Sequence, residues 1–305
     1  MKLTCVLATR NRPQMLIDTL KETLRNIVLE DTRILVAADA DDHGTLAALH
    51  AFANEPRIVA SVRDREDDLG SKFNRALEEA PADVYSHMVD YAPFTTPGFD
   101  YNLIDVARKI PDNIGVINCK MPTLCFTASQ GITHGLAEKL GFIYPPYFPY
   151  WFIDHWIDDI ARLIGRLFYV DNAMDCSRRP GTQELREPGW WATFFDVMAP
   201  YRRKQAERII RSEDFDEREW KKELLVRAFP MILEDDQRPS HSVHRSKWIN
   251  DQVRQQDANM VTGMGAGPKD ERYARVKGRA VEMIRTMIAE MEAEAATAEI
   301  NRKVA

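Results

Sequence analysis

The turn after the first apolar run contains no glycine. Leu3-Thr4-Cys5-Val6-Leu7-Ala8 breaks into Thr9-Arg10-Asn11-Arg12-Pro13, so neither a G-x-G-x-x-G dinucleotide loop nor a Walker loop is present there. The backbone cradles that hold the phosphates of NAD or ATP are therefore weak readings. Cysteine is scarce: the four residues Cys5, Cys119, Cys125 and Cys176 show no C-x-x-C spacing, which fits reduced thiols in a cytoplasmic protein. No apolar run is long enough to span a bilayer. The nearest, residues 142–153, carries Pro145, Pro146 and Pro149. Met1-Lys2 leads straight into strand-like sequence and not into the apolar segment of a signal peptide. Positive charge is not in excess either. The net charge of −6 counts against a protein that reads nucleic-acid phosphates, and no nucleic-acid partner is expected.

What is present is an ordinary globular composition, 45% hydrophobic and 29% charged over 305 residues. That length holds one large α/β domain with an appendage, or two modest domains. Apolar runs at 3–8, 33–38, 57–62, 84–89, 114–118 and 167–171 read as strands. Between them, helical periodicity appears at 13–27, 44–53, 71–80, 97–110, 133–140 and 152–165. Asn11 is the expected cap of the first helix, with Pro13 in its first turn. Strands alternating with helices at this spacing predict a mostly parallel sheet with helices on both faces.

From Trp190 onward no strand is expected. Helical segments read at 190–211, 216–230, 241–256 and 270–297, with Gly263 to Pro268 as a hinge. Tyr273, Val276, Ala280, Ile284, Met287, Ile288 and Met291 form one stripe on the last helix. That stripe either closes on the protein's own core or forms a homodimer. The expected division is an α/β part over residues 1–180 and a helical extension over 181–305.

The chemistry sits at strand ends. The second strand ends in Asp39-Ala40-Asp41-Asp42-His43-Gly44-Thr45, which places carboxylates at the sheet edge where open α/β folds bind ligands. Asp39 can accept hydrogen bonds from a base or ribose, and Thr9, Arg10 and Arg12 can meet a base edge or phosphate. Equally, Asp41, Asp42 and Gly44 can form no more than a capped turn.

Further motifs follow in order: Gly70-Ser71-Lys72-Phe73-Asn74-Arg75-Ala76, a strand ending in Asp90-Tyr91-Ala92, and Pro97-Gly98-Phe99. With Thr9-Arg10-Asn11-Arg12-Pro13 and Asp41-Asp42-His43-Gly44-Thr45, this order resembles the family-two glycosyltransferases of the GT-A fold over residues 1–172. The resemblance implies a Rossmann-like α/β fold and a nucleotide-sugar donor such as a UDP- or GDP-sugar. It also implies Mg²⁺ or Mn²⁺ at the diphosphate and transfer to an acceptor with inversion. On that pattern Thr9, Arg10, Arg12, Asp39, Asp42, Lys72 and Asn74 surround the nucleotide.

The chain departs from the pattern at the metal motif, where the expected D-x-D reads Asp90-Tyr91-Ala92 with a single carboxylate. Asp90 with Asp175 makes a weak oxygen site. No histidine follows the last strand, where Asp171, Asp175, Arg178 and Arg179 stand instead. Arg178, Arg179 and Lys72 are the alternative source of positive charge for the diphosphate.

The resemblance puts the base that takes the acceptor's proton at the start of the helix after the aromatic loop. Asp154 is the first candidate and Asp158, one turn on, the second. In the loop itself, Tyr144, Tyr147, Tyr150 and Trp151 line an acceptor cleft or fill the core, and Trp190 and Trp191 pack the tail. Because the metal motif is degenerate, the second functional reading is an inactive protein on the same scaffold that binds a partner. A nucleotidyltransferase would carry a glycine- and arginine-rich loop after the first strand, which this chain lacks.

Overall fold

The computed structural model describes residues 1–119, 129–177, 188–216 and 271–304. Seven strands form one sheet: β1 (Leu3–Ala8), β2 (Arg33–Asp39), β3 (Ile58–Arg63), β4 (Val84–Val89), β5 (Val116–Cys119), β6 (Gln130–Thr133) and β7 (Leu167–Val170). Their order is β3-β2-β1-β4-β6-β5-β7. All run one way except β6, which pairs antiparallel to both β4 and β5. The expected mostly parallel α/β sheet is present.

β6 is not legible in the sequence. Gln130-Gly131-Ile132-Thr133 has one large apolar side chain, yet all four residues are buried. Its polar groups are satisfied inside: Thr133 Oγ1 accepts from Gly115 N at 2.9 Å, and Tyr144 Oη donates to Gln130 Oε1 at 3.0 Å.

Strand alternation sorts the core into two layers. Leu3, Cys5 and Leu7 of β1 and Ile34, Val36 and Ala38 of β2 face one layer. The helices α1 (Pro13–Asn26), α2 (His43–His50) and α5 (Phe99–Arg108) cover that face. Val6, Leu35 and Ala37 face the other layer. There α3 (Leu69–Asn74), α4 (Ala76–Glu79), α6 (His134–Leu140) and α7 (Ile153–Leu163) pack. The same layer takes in α8 (Pro188–Val197), α9 (Ala199–Ile210) and α10 (Glu271–Val304). On the stripe of α10, Val276, Ala280 and Met287 are buried in it, while Ile288 and Met291 are exposed. Trp191 is buried too, and its Nε1 donates to Tyr273 Oη at 2.8 Å. Residues 216–230, 241–256 and 263–268, together with Cys125, fall wholly or almost wholly outside the described residues.

Cys5 and Cys119 lie buried in β1 and β5 as free thiols. Burial pushes Cys119 to about 12, so neither reactivity nor metal binding is expected of it.

Parallel register aligns the strand ends. Ala8 stands opposite Ala37 on one side and Val89 on the other. The residues that follow, Thr9 and Asp90, and Asp39 at the end of β2, therefore emerge at one edge of the sheet.

Candidate active site

Thr9, Asp39 and Asp90 line a single cavity of about 690 Å³, a size that suits a small-molecule ligand. Its walls come from the turn after β1, the ends of β2 and β4, residues 65–69, α3, the loop at Pro149 and Tyr150, and the start of α10. Three motifs far apart in sequence meet there.

Asp39 is fully buried at the cavity wall, and both of its oxygens are engaged by cations. Its Oδ1 accepts from Lys72 Nζ at 2.5 Å and its Oδ2 from Arg10 Nη1 at 2.9 Å. Arg65 Nε lies 3.9 Å away. Burial lowers the pKa of Lys72 even against the pull of Asp39. Arg10 also forks onto Asp41 at 2.6 and 2.9 Å, and that hydrogen bond holds Asp41 at about 2. What this end of the cavity presents is thus a set of N–H donors anchored on a carboxylate.

Asp42 serves the turn. It caps α2 by accepting from Thr45 N and Thr45 Oγ1, and it accepts from Asn11 N at 2.7 Å. Asn11 is not the cap of α1. Arg12 holds that position without a side-chain bond to the helix's own N–H groups, and Asn11 takes a left-handed φ of 57°, which asparagine tolerates. Asn74 also turns away from the cavity: its Oδ1 accepts from Ile143 N and Tyr144 N, and its Nδ2 donates to Tyr144 O. The helix that carries Lys72 is thereby clamped to the aromatic loop. Gly70 permits the approach, since a Cβ there would lie 2.3 Å from Pro145 O.

At the third strand end, Asp90 Oδ2 accepts from Thr9 Oγ1 and Oδ1 from Arg12 Nη1, both at 2.9 Å. Burial raises its pKa and outweighs these two partners. Asp175 lines a second cavity with Asp18, Lys21 and Arg25, so the two carboxylates expected to share a metal open onto different cavities. Arg178 and Arg179 lie outside the described residues. Among the described residues no group of three or more His, Cys, Asp or Glu is placed to hold a metal ion. The donor set at Asp90 fits a hard divalent cation poorly, because this strand end offers one carboxylate whose two oxygens also accept from Thr9 and Arg12, where such ions take several oxygen ligands.

The candidate bases separate. Asp154 opens α7 with its side chain partly exposed, and its Oδ1 accepts from His155 N at 2.9 Å and pairs with His155 Nδ1 at 2.8 Å. Burial works against its ionisation, but the charge and hydrogen bonds of His155 prevail and hold it at about 2. Asp158 is buried and tied down, accepting from Asn118 Nδ2 at 3.0 Å and Arg162 Nε at 2.8 Å. Neither lines the cavity.

Sequence reasoning missed several wall residues. His87 lies mid-strand in β4 and reaches the cavity, with its ring set edge-on to Phe73 and Tyr144. Its Nδ1 is buried without a hydrogen-bond partner, burial drops its pKa to about 4, and it feels the charge of Asp154. The charged run Arg63-Asp64-Arg65-Glu66-Asp67-Asp68 after β3 was the available signal for the second group. Glu66 pairs with the buried Arg75, whose Nη1 donates to Ala38 O and Ser61 O and so braces the ends of β2 and β3. Asp67 and Asp68 receive Arg275 and Arg279 of α10, which brings Arg272 and Tyr273 to the cavity. In the aromatic loop, Tyr144 and Phe148 are core, and Tyr150 stands half-exposed at the rim.

No protein-family profile matches the chain, and no curated protein sequence does. Solved structures do. The mannosyltransferase PcManGT from Pyrobaculum calidifontis, in complex with GDP-Man and Mn²⁺, is 13% identical, with a TM-score of 0.51 over 94% of this chain and 82% of that one. S. aureus TarS 1-349, in complex with UDP-GlcNAc, is 13% identical, with a TM-score of 0.53 over 93% and 82%. At this identity the likeness shows the fold, which is of the GT-A-like α/β class. No helix among the described residues is long and apolar enough to cross a membrane.

Proposed function

We propose that the chain is a cytoplasmic glycosyltransferase that moves a sugar from a UDP- or GDP-sugar to an acceptor hydroxyl. The observation that carries this reading is the convergence of Thr9, Asp39 and Asp90 on one cavity at the carboxyl edge of the sheet. The two solved structures of the same fold are named as complexes with GDP-Man and with UDP-GlcNAc, which supports a nucleotide-sugar donor.

The residues divide the work. Arg10, Arg65 and Lys72, anchored on Asp39, donate to the acceptor atoms of the nucleoside. Arg12 and Thr9, on Asp90, stand where the diphosphate passes. As the glycosidic bond breaks, negative charge grows on the leaving diphosphate, and fixed donors aimed at it lower the barrier. Asp154, which stands behind the cavity wall close enough to His87 for their charges to interact, is the candidate that takes the acceptor's proton, because its Oδ2 has no bond among the described residues while Asp158 is spent on Asn118 and Arg162. A carboxylate this acidic is a weak base, so it takes the proton only as the new C–O bond forms. Attack from the side opposite the diphosphate inverts the anomeric centre.

Thermal-shift titration of the full chain with UDP, GDP and their sugars tests the reading. Stabilisation by at least one nucleotide is expected. No shift with any of them contradicts it and returns the protein to the partner-binding scaffold.

A further inference from the structure

We propose that the Arg12 guanidinium, seated on Asp90, occupies the place of a divalent cation, so that this site binds its nucleoside diphosphate without metal. The inference rests on the nucleotide-sugar reading above and adds how the diphosphate charge is met.

The carboxylates on the cavity wall are paired with cations. Asp39 holds Lys72 and Arg10, Glu66 holds Arg75, Asp67 holds Arg275 and Arg279, Asp68 holds Arg279, and Asp90 holds Arg12. A metal at Asp90 would compete with Arg12 for a single carboxylate, with Tyr91 and Ala92 offering no second carboxylate. Hard cations favour several oxygen ligands, and this strand end supplies one oxygen pair that is already engaged.

Arg12 is built for the substitute role. Its Nη1 is bonded to Asp90 Oδ1, and a third of its side chain remains exposed. Asp90 therefore orients the guanidinium and leaves its remaining N–H groups for a ligand. A guanidinium keeps its charge at any working pH and binds phosphate oxygens in a fixed fork. It sits at N-cap of α1, one residue before Pro13 fixes the first turn, so the backbone that carries it is held. Thr9 Oγ1 on the other Asp90 oxygen completes the seat.

The test is isothermal titration of the full chain with UDP and with GDP, each in EDTA and in Mn²⁺. The wild type should bind at least one of them with affinities in the two buffers that agree within about threefold. Arg12→Gln, which keeps a donor for Asp90 but removes the charge, should weaken binding in EDTA by about 10- to 100-fold, the worth of a charge-assisted bond. Arg12→Lys should recover most of the loss. Wild-type binding that requires Mn²⁺ overturns the inference and leaves the nucleotide reading standing, and that result comes from the unaltered chain alone. Unchanged binding by Arg12→Gln in EDTA also overturns it. Silence from both nucleotides in both buffers contradicts the nucleotide reading itself, and the inference falls with it.

Discussion

Lys72 Nζ lies 2.5 Å from Asp39 Oδ1, and the pair joins the last turn of a short helix to the end of a strand 33 positions earlier. Both residues are buried. The pair decides what the cavity offers at this end, because the carboxylate holds the cations and the cations line the cavity. Removing one member of such a pair leaves a charge without its partner in a place water does not reach. Lys72→Met should cost about 3 kcal/mol in urea unfolding, the low end for a broken buried pair because Arg10 stays on Asp39. The double variant with Asp39→Asn should lose less than the sum of the two single changes.

Asp154→Asn separates binding from chemistry. The change keeps the shape and removes the charge proposed to take the acceptor's proton. Transfer should fall by about two orders of magnitude or more, while titration calorimetry shows nucleotide affinity unchanged, since Asp154 does not line the cavity. Full turnover by this variant would remove Asp154 from the mechanism.

The sheet was legible in the sequence because its strands are apolar runs bounded by turn chemistry, and the ends at Thr9, Asp39 and Asp90 could be placed on one edge from strand direction alone. Other features depend on contacts that no local pattern records. β6 carries Gln130, Gly131 and Thr133 and draws its stability from two neighbouring strands. Asp39 read as a ligand contact, yet its partners come from two other motifs. His87 is a polar residue in the middle of a buried strand, a pattern that more often marks a packed core position. Arg272 and Tyr273 reach the cavity from a helix far along the chain from any strand end, carried there by Arg275 and Arg279 on Asp67 and Asp68.

His87 gives the fold a pH dependence of known sign. Its pKa is about 4 in the folded protein against an ordinary 6.5. Between these values the unfolded chain binds more protons than the native one, so stability is fully present above about pH 6.5 and is lost as pH falls toward 4. The loss should be on the order of 2 kcal/mol, less than the full shift implies because the ring is partly exposed. His87→Phe should flatten the urea midpoint across this window. A midpoint that falls as steeply as in the wild type would mean that another group drives the loss.

Gly70→Ala tests the seam between α3 and the aromatic loop. Its Cβ would meet the Pro145 carbonyl carbon at 2.7 Å and its oxygen at 2.3 Å, and backbone on both sides must shift. The expected cost is about 1–3 kcal/mol in stability. Nucleotide affinity should fall with it, since Lys72 is two residues away. Wild-type stability would show that the loop yields freely and that Gly70 does not set the position of α3.

The proposed sugar transfer requires a single place for the ligand. A crystal structure of the full chain soaked with UDP-GlcNAc or GDP-mannose measures it most directly. The expected density fills the cavity between Lys72 and Arg12, with the diphosphate within hydrogen-bond distance of the Arg12 guanidinium. A nucleotide bound elsewhere on the molecule, or an empty cavity at saturating concentrations of both donors, would contradict the proposal.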